Sequence, residues 1–228
     1  VFNEASNDVD FRVESNGRTH ALMVDAGNNS VLFGDLQTAQ TNGGTNSSVQ
    51  IEGTDATASL SIFRNGDDAN GAAIFLGKSR GTSLGSNTVV QNGDELGKIL
   101  FVAADGTDRA HSAGAIVCSM NDNAGSNDLP TRLSFFVATD STTTLTERMR
   151  IGEENGAVMF GPNFNIDPVS TNQAGASIKT TQGNIQVSRD GGIVGSFNRS
   201  QDGDVIGIRS AGTQEGTISV SGSSVTLN

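Results

Sequence analysis

The stretch Gly77–Asp108, GKSRGTSLGSNTVVQNGDELGKILFVAADGTD, decides how the chain reads. Two turn-rich loops bracket the most continuously apolar run in the protein, Leu96–Ala104. A short apolar run bounded by turn signals predicts a strand. Because Ile99-Leu100-Phe101-Val102 is apolar on both faces, it predicts an interior strand at the centre of a β domain.

Working outward, residues 58–151 read as that central domain. Strands are predicted at Ser59–Arg64, Ala72–Lys78, Asn87–Gln91, Leu96–Ala104, Ser112–Met120, Arg132–Ala138 and Thr146–Ile151, with turn signals such as NGDDANG, NGDE and TDSTTT between them. Short strands with a turn near every tenth residue are the pattern of a β-sandwich or barrel. Residues 1–57 read as a β-hairpin stem. Asp10–Gly34 gives three short strands with turns at Ser15-Asn16-Gly17 and Ala26–Asn29, followed by a polar junction with one further strand at Val49–Glu52. Asn-Gly is a strong hairpin signal because both residues tolerate positive φ. Residues 152–228 read as a ribbon of strands five to seven residues long. Gly punctuates its joints, at Gln182–Asn184, Asp190–Gly192, Asp202–Asp204, Gln214–Gly216 and Ser221–Ser223.

One internal repeat stands out. Leu22–Gly34, LMVDAGNNSVLFG, aligns without a gap on Met149–Gly161, MRIGEENGAVMFG, and both end in Phe-Gly. Repeats of this kind mark units that stack on copies of themselves or on other chains.

The composition supports shared burial. Hydrophobic residues make up 35% of the chain, Trp and Tyr are absent and 29 residues are Gly, which leaves one protomer little with which to fill a large core. Each C-terminal strand offers two or three small apolar side chains, too few to bury alone, whereas three ribbons wrapped together share a thin core. No helical periodicity persists beyond about two turns, so the fold class is all-β: hairpin and ribbon segments flanking a central sandwich-like domain. The net charge of −11 opposes binding to nucleic acid or an anionic membrane. Neither is an expected partner, and the sequence holds no 18-residue apolar run. The single cysteine, Cys118, excludes an intrachain disulfide and a multi-thiolate metal site.

Chemical motifs are weak. Gly81-Thr82-Ser83-Leu84-Gly85 matches the G-x-S-x-G elbow, but that motif needs a strand before and a helix after it, and here a turn and a strand follow. His20 and His111 have no His or Cys at metal-ligand spacing. The acidic loops Asn65–Gly71 and Asn121–Asp128 lack the calcium-loop spacing. A sugar hydrolase needs two flanking carboxylates, and its usual stacking platforms would have to be Phe. No enzymatic activity, cofactor or metal is therefore expected.

The ordered set VFNEASNDVDFRVES, GKSRG, TVVQNGDELGKILFVAADGTD, LPTRLSFFVATD, TERMRI, IQVSRDGGIVGSFNRSQDGDVIGI and GTISVSGSSVTLN resembles the C-terminal half of bacteriophage tail fibre proteins. The likeness is to the type that carries an intramolecular chaperone of the endosialidase class, and it covers essentially the whole chain. In that family the chaperone follows a VSGSS-type strand and is removed by self-cleavage, so the resemblance implies that Asn228 lies at or near a mature C-terminus. The opening at Val1-Phe2-Asn3-Glu4 reads as part of something longer.

The resemblance further implies an intertwined homotrimer in the virion's tail. Its partners would be other tail proteins and a host-surface polysaccharide or protein receptor, and its function host attachment. Exposed loops on a rigid β scaffold are where binding residues concentrate. The expected receptor-facing residues are Arg80, Thr82, Ser83, Asn87 and Gln91 in one loop and Asp105, Asp108, Arg109 and His111 in another. The alternatives are a purely structural shaft or collar element, a polysaccharide-degrading tailspike fragment, and a cellular surface adhesin of similar repeats.

Overall fold

The computed structural model describes residues 9–56, 58–152, 156–161, 164, 168–169, 174–179, 183–189, 191–198 and 200–227. Sixteen strands and no α-helix occur among them, so none has a helix long and apolar enough to cross a membrane. The chain divides into two compact units, Val1–Val158 and Met159–Asn228.

In the first unit, β1 (Phe11–Ser15), β2 (Arg18–Asp25) and β3 (Ser30–Phe33) form an antiparallel meander. The predicted turns join them, with Gly17 (φ +92°) and Asn29 (φ +53°) in the left-handed region. A small hairpin of β4 (Thr41–Asn42) and β5 (Thr45–Asn46) follows, and β6 (Val49–Ile51) then adds to β3 in parallel. The two faces of this sheet differ sharply. On one, Met23, Leu32 and Gln50 lie side by side in the register and are buried, Leu32 completely. Gln50 exchanges two 2.9 Å hydrogen bonds with the Gln40 backbone, and buried Asp25 accepts from Asn28 N (3.0 Å), Asn28 Nδ2 (2.9 Å), Thr38 Oγ1 (3.1 Å) and Ala39 N (2.9 Å). These bonds pin residues 38–40 across that face. On the other, the rows Phe11–Val24–Val31–Val49 and Val13–Leu22–Phe33–Ile51 are apolar throughout and open to solvent.

The central sheet is a second antiparallel meander, of β7 (Glu95–Val102), β8 (Ser112–Met120), β9 (Thr131–Ala138) and β10 (Leu145–Ile151). It too is one-sided. Ala115, Val117 and Ser134 are buried on one face, where Arg150 forms an ion pair with Glu147. The other face carries the rows Gly97–Cys118–Leu133–Ile151 and Ile99–Ile116–Phe135–Met149, and Phe101, Gly114 and Val137 continue it. Ile99, Phe101 and Val137 on this apolar face are each about half exposed.

Of the seven strands expected in the central region, the four from Leu96 onward form this sheet. Ser59–Arg64, Ala72–Lys78 and Asn87–Gln91 lie in no paired strand. Residues 58–78 are exposed throughout, with Phe63 at 83% and Phe75 at 93%, and the backbone of 59–63 and 71–77 makes no hydrogen bond among the described residues. The expectation that Ile99–Val102 is interior is corrected by the same observation. β7 is an edge strand, because the preceding chain turns away through Gly93 (φ +83°) and no described strand takes its outer side.

β11 (Ala157–Phe160) follows β10, with Gly152 N donating to Ala157 O (3.0 Å). Both halves of the sequence repeat thus close on a strand, β3 and β11, followed by a glycine of positive φ, Gly34 (+98°) and Gly161 (+105°).

In the second unit β12 (Gly175–Lys179) pairs with β13 (Asn184–Ser188), while β14 (Gly203–Ser210), β15 (Thr213–Ser221) and β16 (Ser224–Leu227) form an antiparallel ribbon. The joint expected at Gln214–Gly216 lies inside β15. The turn is instead Ala211-Gly212, both at positive φ, the geometry a two-residue hairpin requires, and Glu215 forms a bulge opposite Ile208 and Arg209. One ribbon face holds Ile206, Ile218 and Leu227 in one row and Val220 and Val225 beside them. Gln182 and Asp190 of the expected joints, residues 153–155 of the repeat, and Asn228 lie outside the described residues.

Candidate functional site

The most organised polar constellation surrounds Asp94, in the turn that leads into β7. Its carboxylate is 7% exposed and accepts from Arg80 Nε (2.7 Å), Arg80 Nη2 (2.8 Å), Lys78 Nζ (3.1 Å) and the Gln91 backbone N (3.0 Å). The Arg80 guanidinium and the Gln91 amide hold this carboxyl well below the ordinary aspartate range, Lys78 adds to them, and burial opposes them without prevailing. The Asp94 main chain is fixed as well: Met120 N donates to its carbonyl (2.8 Å) and Gly93 N donates to Met120 O (3.2 Å). Lys78 and Arg80 reach the same carboxylate because alternate residues of an extended chain share a side.

From this anchor the loop 81–88 projects. Its neck is closed by Arg80 N donating to Thr88 O (3.2 Å), and its tip by Ser86 N donating to Ser83 O (3.1 Å). A side chain at Gly81 would collide with Ser86, so only glycine fits there. Thr82, Ser83 and Asn87 are exposed on this loop, and Leu84 at its tip is fully exposed. No helix follows Ser83.

The second loop, Ala103–His111, joins β7 to β8. Asp105 folds it by accepting from the backbone N of Thr107 (2.8 Å) and Asp108 (3.1 Å), and Asp108 accepts from Ala110 N (2.8 Å). Those amides hold the Asp105 carboxyl below its usual value, with His111 a smaller contributor. His111 Nδ1 lies 3.7 Å from carboxylate oxygens of both aspartates. Asp105, Asp108 and His111 each present one potential ligand atom within a 4.8 Å span, all exposed. The bonds that shape the turn already account for the cluster. Arg109 points away from it and donates to Glu52 Oε2 (3.0 Å) and Gln40 Oε1 (3.4 Å), tying the loop to the β4–β6 segment.

The nine residues named from the sequence therefore fall into two groups. Arg80 and Gln91 converge on Asp94 beside Thr82, Ser83 and Asn87, whereas Asp105, Asp108 and His111 cluster at the far end of β7, with Arg109 in the same loop turned to Glu52 and Gln40. The eight residues of β7, seven steps of about 3.3 Å, separate the two loops by roughly 23 Å. In the sequence Asp94 stands out only as part of the NGDE turn. The signal that could have found it is the pair of cations in KSR, spaced to meet one carboxylate.

No protein-family model and no curated protein matches the chain. Among solved structures it is similar to the carboxy-terminal domain of the bacteriophage T5 L-shaped tail fibre, with 15% sequence identity and a TM-score of 0.38. The match covers 48% of this chain and 39% of that chain, so this chain spans about two fifths of its length.

Proposed function

We propose that this protein is the distal part of a virion tail fibre, a homotrimer that attaches the particle to the host surface and catalyses nothing. The observation that carries the reading is the one-sidedness of the sheets. The N-terminal sheet, the central sheet and the C-terminal ribbon each present an apolar face that the described residues of the same unit leave partly open to solvent. Contiguous apolar surface of this extent marks an interaction site. A chain that repeats it sheet after sheet is built to share its cores with further copies, and the central sandwich is then completed between chains.

Recognition falls to the projecting loop Thr82–Asn87 and to the cluster of Asp105, Asp108 and His111, with other tail proteins bound elsewhere. Arg80 and Arg109 act within the chain, holding the loops in place. Antibody raised against the chain should decorate the tail ends of intact particles in electron micrographs, and the purified protein should compete with particles for adsorption. Label confined to a collar with no competition would favour the structural-shaft alternative, and absence of label would refute a virion role.

A further inference from the structure

The segment 58–78 and the central sheet carry complementary deficits. The segment forms two unpaired runs, 59–64 and 72–77, joined by a bend that Arg64 clamps, its guanidinium forked on Asp68 (2.6 and 2.5 Å) and bonded to Asn70 O (2.7 Å). Both runs have strand sequences, yet they lack ladder partners and expose Leu60, Phe63, Ile74 and Phe75. The central sheet has a free edge at β7 and an open apolar face through Ile99, Phe101 and Val137. One side has strands without a ladder, and the other a ladder and an apolar face without cover.

The segment cannot satisfy its own sheet in the observed arrangement. Its root is fixed where Leu76 lies so close over Gly97 that a Cβ there would sit 2.6 Å from the Leu76 Cβ, and where Lys78 and Arg80 grip Asp94. Leu76 thus covers only the Gly97 end of the open face. The remaining residues extend into solvent, leaving the Ile99–Phe101 end bare.

We propose that the arm 58–78 docks on the central sheet of a second copy of this chain, its runs pairing with the free edge of β7 and its apolar side chains covering Ile99, Phe101 and Val137. Because the arm and its acceptor are different surfaces of one chain, the contact is head-to-tail, and it closes when the last copy's arm reaches the first copy's sheet. The proposal rests on the assembly reading above and adds which surfaces meet.

Hydrogen exchange on the intact, unmodified assembly tests it. Backbone amides of 59–63 and 71–77 should exchange at least about a hundredfold more slowly than in a free chain, as ladder amides do. The double substitution Phe63→Asp with Phe75→Asp should raise the concentration needed for assembly by at least about a hundredfold, as should Ile99→Asp with Phe101→Asp, whereas Leu84→Asp at the loop tip leaves it unchanged. An unmodified protein that assembles but exchanges its arm amides at free-chain rates overturns arm docking and leaves the assembly standing. Sedimentation of the unmodified protein as a single chain overturns both.

Discussion

Asp94 gathers two cations and a backbone amide around one nearly buried carboxylate, and this makes the base of β7 sensitive to acid. Its acidity is raised on folding, so in acid the unfolded chain binds the proton more readily than the folded one. The stability it contributes is therefore complete above about pH 4, the ordinary aspartate value, and is lost as pH falls toward its lower folded value. The thermal midpoint should stay level above about pH 5 and decline below about pH 4. Asp94→Asn should lower the midpoint at neutral pH and make the acid decline shallower, though not abolish it, since Asp25 is likewise depressed. Circular dichroism melts between pH 2 and 7 would show this, and an unchanged acid slope in the variant would contradict it.

Two glycines with similar φ make a sharper comparison at the same scale. A Cβ at Gly34 would lie 1.8 Å from the Glu52 carbonyl oxygen, whereas one at Gly17 meets nothing within 4 Å. Gly17→Ala should cost only the left-handed backbone penalty, about 1–2 kcal/mol. Gly34→Ala must also displace the chain beyond β6, and should cost at least about 3 kcal/mol in total by urea unfolding.

At the scale of elements, the two loops are independent because β7 holds them apart. Alanine at Thr82, Ser83 and Asn87 should change adsorption without shifting the thermal midpoint, and so should alanine at Asp108 and His111. If only one set alters adsorption, that loop is the contact. Arg109→Ala, by contrast, removes a half-exposed tie to Glu52 and should cost less than about 1 kcal/mol of stability.

Much of the strand pattern was legible in the sequence. β1 to β3 and β8 to β10 announce themselves by alternation and by Asn-Gly or Asp-rich turns, which are local signals. The arm and β7 misled for a physical reason. Apolar patterning records the burial a residue finally reaches, and at Phe63, Phe75 and Ile99 the described residues do not supply it. Ala211-Gly212 was missed because Gln214-Glu215-Gly216 carries the more conspicuous glycine, and there that glycine sits beside a bulge. The named residues lie outside the paired strands, but their division between two ends of a strand depends on tertiary pairing, and the role of Asp94 depends on a cation pair fourteen and sixteen residues away.

At the scale of the whole molecule, magnitudes decide whether one chain suffices. Covering Leu60, Ile62, Phe63, Ile74, Phe75, Ile99, Phe101 and Val137 at roughly 1.5 kcal/mol each, the low end for side chains already partly covered, contributes about 12 kcal/mol per contact. Bringing two chains together costs about 4–15 kcal/mol. The arm contact alone is close to balance, so the open faces of the N-terminal sheet and the C-terminal ribbon must add theirs to make the assembly permanent. Dissociation should consequently be cooperative with unfolding rather than precede it, and the melting midpoint should rise with protein concentration. A midpoint independent of concentration, with the oligomer lost before the strands melt, would contradict this.

The central claim is that the protomer is incomplete without copies of itself, and sedimentation equilibrium of the purified chain tests it most directly. The account predicts a single species near 70 kDa, three times the 23.5 kDa protomer, persisting on dilution. A folded, β-rich species of 23.5 kDa that stays monodisperse would contradict it.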